Sequence, residues 1–389
     1  MSALARLSAT TMTRIFFNCR IRPALIVCAG LLLLACDKQT SAPQPIRLGV
    51  IVDISGPSAS LGIAGRNGIQ LAVEQANAAG GIQGRNIELL FRDDASDPER
   101  ATQVAQELID ARVDAVLGPM TSTIAEQLAP QFTAAGILLM GGTPLSPLLA
   151  GRDDQFFRIL SHDNPDARDI ATHLQQQYGV KRVNVIIELS NHSFTRPWLA
   201  DFTRHLQDAG GGVDEVVEFN RNGDTDFVAL AQRALANQPA AVVLISSALD
   251  TALLATHLRQ RSPQIKLATP AWAAADALLE MGGRAMEGIL TAQAFDLNNQ
   301  SSEFLEFKQR YQERFYQSVD TAAVTTYNAT NVLISALRQR LPGEQPKQVL
   351  LRIRQFESLQ RPIVFDDFGD SDSRLYPMVV RDGRFRSLD

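Results

Sequence analysis

The sequence is poor in the residues that do covalent and metal chemistry. Among 389 residues there are three cysteines, five histidines and two tryptophans. The cysteines are Cys19, Cys28 and Cys36, so the chain beyond position 36 has no thiol for a disulfide, a thiolate nucleophile or a cysteine metal site. His162, His173, His192, His205 and His257 are scattered without the spacing of metal ligands. Gly-x-Ser-x-Gly, His-Glu-x-x-His and the Gly-x4-Gly-Lys-Ser/Thr phosphate loop are absent. The series Gly62, Gly65, Gly68 is not the dinucleotide fingerprint and follows a loop. These gaps argue against an enzyme, against a cofactor and against a bound metal. Excess positive charge is lacking too: the net charge is -5, which argues against nucleic acid as a partner. Long apolar runs are missing as well, since the run 24–35 is too short to span a bilayer.

That run has another use. Arg14, Arg20 and Arg22 precede it, the order found in a signal peptide. It ends Leu33-Leu34-Ala35-Cys36, which resembles the lipobox of bacterial lipoproteins, where the cysteine receives diacylglycerol and cleavage falls just before it. Residues 1–35 then read as the signal, Cys36 as the lipidation site and 36–45 as a polar, flexible tether. The other reading is an ordinary export signal with an incidental cysteine, and either Met1 or Met12 can serve as the start. Without the signal, 33 basic residues stand against 42 acidic ones, a net charge of -9.

From position 46 onward, short apolar runs alternate with helical patterns. The runs 46–52, 87–91, 113–117, 137–140, 182–187, 216–219, 241–245 and 265–268 read as strands, and amphipathic segments between them predict parallel sheets with crossover helices. The series repeats itself. Asp97 opens a helix leading to the strand 113–117 and the loop 118–122; Asp226 opens one leading to 241–245 and the loop 246–250. Two similar sheets in tandem predict two lobes with a cleft between them. Ile69, Val73 and Ala76 keep helical spacing over 66–79, and Gly80-Gly81 ends that helix. Ser301 or Ser302 caps a helix whose Phe304, Phe307, Tyr311 and Phe315 form a core stripe. A helix over 322–340 follows, and 361–370 and 378–385 read as closing strands. The loop Gly118-Pro119-Met120-Thr121-Ser122 passes from strand to helix, leaving unpaired N–H groups and a hydroxyl facing one point, which suits a small anionic group.

Ser55-Gly56-Pro57, Leu61-Gly62, Arg66-Asn67-Gly68, Gly80-Gly81-Ile82, Asp93-Asp94, Asp97-Pro98 and Gly118-Pro119 occur in one order and spacing. Together they resemble the branched-chain amino acid (leucine/isoleucine/valine) binding proteins of ABC importers, in a lipoprotein form. The likeness continues through Phe157-Arg158, Asp226-Phe227, Tyr327 and Val364-Phe365-Asp366 to Arg381-Asp382-Gly383-Arg384-Phe385. It implies the type I periplasmic binding fold, an α/β architecture of two doubly wound parallel-sheet lobes joined by three crossover strands. Lobe one would be 46–162 plus 288–362, and lobe two 163–287 plus 363–389. The implied role is a lipid-anchored solute receptor of the cell envelope, on the periplasmic face of the inner membrane in a Gram-negative host. Such a receptor closes on a small carboxylate-bearing or amino-acid-like solute and delivers it to an ABC permease. The alternative is a ligand-sensing lipoprotein that acts on a membrane kinase or a cell-wall enzyme.

The resemblance also implies a site. Ser122 falls where the family binds the ligand's carboxylate, with the N–H groups of Ser122 and Thr123 beside it. Thr143 stands near the family's next contact, although counting back from Pro147 puts Leu145 there. In lobe two the family's two tyrosines and its ammonium-binding acid match Phe194, Ala248 and Ala271 or Trp272. No carboxylate stands at the last position, so a buried ammonium would lack its partner at a cost of several kcal/mol. Asp276 or Glu188 would restore one if the loops shift. Leu61, Phe194 and Trp272 suit an aromatic or aliphatic body, with Trp272 otherwise a core residue; His192 and Arg196 are solvated loop residues or, in the other reading, partners of a second anionic group. Gly62 and Gly118 would let the backbone approach the ligand, and Ser96 and Thr121 stand where many relatives have a disulfide pair.

Overall fold

Aliphatic and β-branched runs form the strands of this computed structural model, which describes residues 44–221 and 224–388. The expected signal 1–35, the lipidation site Cys36 and the tether up to position 43 lie outside the described residues. The first sheet contains β1 (Ile46–Val52), β2 (Ile87–Asp93), β3 (Ala115–Leu117), β4 (Leu139–Gly141) and β5 (Phe156–Arg158), all parallel, in the order β2-β1-β3-β4-β5. Next come β6 (Arg182–Glu188), β7 (Gly212–Phe219), β8 (Ala241–Ile245), β9 (Lys266–Ala268) and β10 (Leu290–Gln293). A separate antiparallel pair, β11 (Gln355–Phe356) and β12 (Ile363–Val364), precedes β13 (Tyr376–Arg381) and β14 (Arg384–Ser387). The second sheet runs β14-β13-β10-β9-β8-β6-β7, parallel from β7 to β10 and antiparallel at the β13-β14 edge.

Side-chain oxygens start the crossover helices. Asp97 accepts from the Arg100 N–H, with Pro98 in the first helical position, and Asp226 accepts from the Ala229 N–H. Ser301, rather than Ser302, caps the helix Ser302–Phe315. Both faces of each sheet are covered, as parallel strands require. In the first lobe Leu48, Val50, Leu117 and Met140 pack with Val332 and Leu333 of the helix Thr321–Arg338. In the second, Val185, Val243 and Leu290 pack with Ile170, Trp198 and Phe202. Each such aliphatic side chain contributes about 1.5–3 kcal/mol by burial.

Three features depart from the sequence reading. The first helix runs Ala59–Ala78 rather than 66–79, because Gly62 lets its first turn lie on the end of β1. A Cβ at Gly62 would stand 1.6 Å from the Asp53 carbonyl oxygen, and one at Gly118 would stand 2.1 Å from that of Ile51. These glycines therefore serve close contact of backbone with backbone, not with a ligand. Secondly, the run 361–370 is strand only over Ile363–Val364; Asp366 then accepts from the Phe368 and Asp370 N–H groups and closes a turn. Thirdly, β10 pairs with β9 and β13 in the second sheet, whereas Phe365 packs on Phe157 in the first lobe. Sheet pairing thus assigns Leu290–Gln293 to lobe two and 363–365 to lobe one, later changeovers than 288 and 363. The chain crosses between lobes after β5, after β10 and before β13.

Candidate functional site

The C-terminal ends of β3 and β4 deliver two loops to the space between the lobes, where open parallel sheets bind ligands. The helix Ser122–Ala135 begins there, with Thr121 at its cap position making no side-chain cap bond. Ser122 is 3% exposed, and its hydroxyl accepts from the Leu145 N–H at 2.9 Å, which leaves its own proton to be donated. Thr143 donates to the Met120 carbonyl at 2.5 Å, tying the two loops together. Arg158, wholly buried at the end of β5, holds the second loop from behind. Its Nε donates to Asp370 at 2.7 Å and its Nη1 to the Ser146 carbonyl at 2.6 Å.

Lobe two supplies the facing wall. Phe194, in the first turn of the helix His192–Asp208, meets Trp272 edge to face at 5.8 Å. Trp272 rides on the short turn Ala271–Ala273, which Asp166 anchors. One oxygen of Asp166 accepts from the Ala271 N–H and the other from the Trp198 indole N–H, both at 3.0 Å. Burial pushes the Asp166 carboxyl up to about 6. Thr321 closes one end of the space, its hydroxyl accepting from the Ala294 N–H at 3.0 Å. The resulting cavity of about 30 Å³ is lined by Leu61, Ser122, Thr143, Phe194 and Trp272, together with Met120, Leu145, Leu160, Asn191, Ala271, Thr321 and Leu375. No lining residue is charged.

Five of the six expected ligand contacts therefore line one cavity. Thr123 does not. Its N–H donates to Asn191 Oδ1 at 3.2 Å and its hydroxyl accepts from the Ser193 N–H at 3.1 Å, so it bridges the lobes. Beside it the Ser193 hydroxyl donates to Glu126 at 2.6 Å. Among the described residues nothing accepts from the Ser122 N–H, so that donor remains available beside the hydroxyl.

The side chains named for a charged ligand group lie elsewhere. Glu188 is buried, but its oxygens accept from the Ser190 and Asn191 N–H groups and shape the loop after β6. Asp276 accepts from the Ser318 N–H, a second contact between the lobes. His192 is exposed, and Arg196 pairs with Glu218 at 3.3 Å on the outer face. Ala248 is buried in the second-lobe core. Asp53, Asp93 and Asp94 bring carboxylate oxygens within 4.8 Å of one another. Those oxygens accept from Ile54, Gly56, Ser58, Ala95 and Ser96 N–H groups and from the Ser55 and Ser96 hydroxyls, so the trio shapes the turn after β1. As cavity residues, sequence reasoning missed Met120, Asn191 and Thr321, and with them the apolar Leu160 and Leu375. The first two sit one or two places from residues it named, and Thr321 follows Asp320, which caps its helix by accepting from the Ala323 N–H.

Comparison with known proteins gives this geometry a context. The family described as periplasmic binding protein matches residues 45–376. The Leu/Ile/Val-binding protein BraC3 of Rhizobium johnstonii is 30% identical over 193 residues, 49% of this chain and 52% of that protein, so the chain spans about half the length of that relative. Among solved structures, a leucine binding protein from Thermotoga maritima MSB8 is similar with a TM-score of 0.80 at 23% identity, over 88% of this chain and 98% of that one. A solute binding protein of an ABC transporter from Rhodopseudomonas palustris BisB5, in complex with 3,4-dihydroxy benzoic acid, gives 0.78 at 23% identity, over 89% and 96%.

Proposed function

The chain belongs to the periplasmic binding protein family, and from that membership we propose that it is a lipid-anchored, extracytoplasmic solute-binding protein of an ABC importer whose ligand is a small carboxylate with an aromatic or aliphatic body and no ammonium. The observation that carries this reading is the lining of the cleft. It offers a hydroxyl and a backbone N–H at a helix N-terminus, and otherwise apolar or neutral surface. An α-amino acid would bury its ammonium there without a carboxylate, whereas an aromatic acid brings only a carboxylate, for which the helix N-terminus and the Ser122 hydroxyl supply donors. The solute binding protein from Rhodopseudomonas palustris was crystallised with such an acid, which supports the choice.

In this reading the ligand's carboxylate takes the Ser122 hydroxyl and N–H, and its body lies between Leu61, Phe194 and Trp272. A cavity of about 30 Å³ holds water-sized contents only, so binding requires the lobes to part and re-close around the solute. No step involves a covalent bond, and the loaded receptor passes its solute to a permease in the membrane to which Cys36 anchors it.

The test is a thermal-shift series on the full-length protein with benzoate, phenylacetate, isovalerate and leucine. At about 100 times the dissociation constant a ligand adds about 2.7 kcal/mol of stability. A rise in melting temperature with the acids and none with leucine is expected. A rise with leucine alone overturns the ligand class, and no rise with any compound turns the weight to a regulatory lipoprotein.

A further inference from the structure

Behind the cleft, where the three crossovers run side by side, a second cavity of about 70 Å³ opens between Ile159, Phe295, Ile363 and Tyr376. A space of roughly 10–15 Å³ on this measure holds one water, so this one has room for an ion of about five to seven heavy atoms. Its polar lining is rich in donors. Asn328, 9% exposed, commits its Oδ1 to the Leu359 N–H at 3.2 Å, which fixes the orientation of the carboxamide. Its Nδ2 donates to no protein acceptor among the described residues and is reached by solvent. Arg361 and Arg374 line the same cavity, and neither guanidinium has a carboxylate partner among the described residues; that of Arg374 lies over the Tyr376 ring at 5.2 Å. The mouth continues into an outer groove past Arg168 and His205. There Asp169 faces Arg168 at 3.2 Å and Asp163 faces His162 at 3.4 Å. Asp372 lines both the groove and the cavity itself, where it is the one acid opposing an anion.

We propose that this hinge cavity is a second ligand site, separate from the interlobe cleft, for a small oxyanion of the phosphate or carboxylate class. Two unpaired guanidinium forks and a solvent-reached amide donor with no protein acceptor match the several acceptor oxygens of such an ion, and guanidinium geometry suits planar or tetrahedral oxyanions better than chloride. The walls come from all three crossovers, the segments whose backbone must turn when the lobes part. An anion held there shifts the open–closed balance by the difference in its affinity for the two forms.

Calorimetric titration of the full-length protein with sodium phosphate and with sodium malonate, ionic strength being held constant with sodium chloride, tests this. Saturable binding of one ion per chain is expected, and excess benzoate does not compete with it. Arg361→Ala and Arg374→Ala each weaken binding about tenfold, and Asp372→Asn tightens it. All three side chains are exposed, so melting temperatures without the ion should match the parent and separate lost binding from lost folding. Binding of phosphate alone or of malonate alone supports the site and fixes its ligand class. No saturable binding of either ion, or equal affinity in the Arg361→Ala/Arg374→Ala double variant, overturns it.

Discussion

At the scale of single residues, Ser122 carries the largest share of the proposed recognition, because its hydroxyl already has an internal donor and keeps its proton for a ligand. Ser122→Ala should weaken benzoate binding by roughly 10- to 150-fold, the equivalent of about 1.5–3 kcal/mol for a hydrogen bond to a charged group. Calorimetry reads this directly, and unchanged affinity removes Ser122 from the site. Ser122 was legible in the sequence because a small hydroxyl residue ends a strand-to-helix loop. Leu61, Thr143, Phe194 and Trp272 came only through the family resemblance, and the cavity lining includes them all. Thr123 misled because sequence shows that a helix-end N–H is unpaired within its own chain segment but not that another lobe supplies the acceptor, here Asn191 Oδ1. For His192 and Arg196 the solvated of the two readings holds, because a loop's place next to the cleft does not tell which way its side chains face.

At the scale of elements, the packing of the helix Ala59–Ala78 on β1 tolerates no side chain at position 62. Gly62→Ala should destabilise the fold by about 3 kcal/mol, seen as a lower urea midpoint, since the displaced partner is backbone and cannot rotate away. Gly80, with φ of 92° and open space within 4 Å of where a methyl group would stand, should cost only about 1–2 kcal/mol when changed to Ala. The turn that carries Trp272 has its own signature. Burial raises the Asp166 carboxyl from 3.8 to about 6, so the fold bears no charge penalty below about pH 4 and bears all of it above about pH 6. Asp166→Asn loses one acceptor at every pH but escapes that penalty, so its deficit in melting temperature should shrink as pH rises from 4 to 7. Parallel melting curves across that range would contradict the assignment. The long strands were readable from alternation of element types. β5 and β10 were not, because Phe156-Phe157-Arg158 and Leu290-Thr291-Ala292-Gln293 lack the unbroken apolar run that marks the equally short β3 and β4, and missing β10 moved the lobe boundary with it.

At the scale of the whole molecule, the lobes are held together by few bonds across a polar rim, including Ser193 to Glu126 and Ser318 to Asp276. Glu126→Ala removes one of them without touching the cavity. Ligand release should quicken about fivefold, as expected for a part-exposed hydrogen bond worth about 1 kcal/mol, with the association rate little changed; stopped-flow tryptophan fluorescence would show it. Equal release rates would mean that the rim contributes nothing to retention. The triple crossing has a further consequence for how such a chain is made. The first core needs Val332, Leu333, Val349 and Phe365, and the second needs Val379 and Val380, so neither lobe is encoded by one continuous stretch. A nascent polypeptide leaving the ribosome N-terminus first carries two unfinished cores, with β10 lacking its neighbour β13, until its final tenth emerges. Neither core can be completed before these late segments are made, and until then the chain can be drawn out in extended form at little cost in packing.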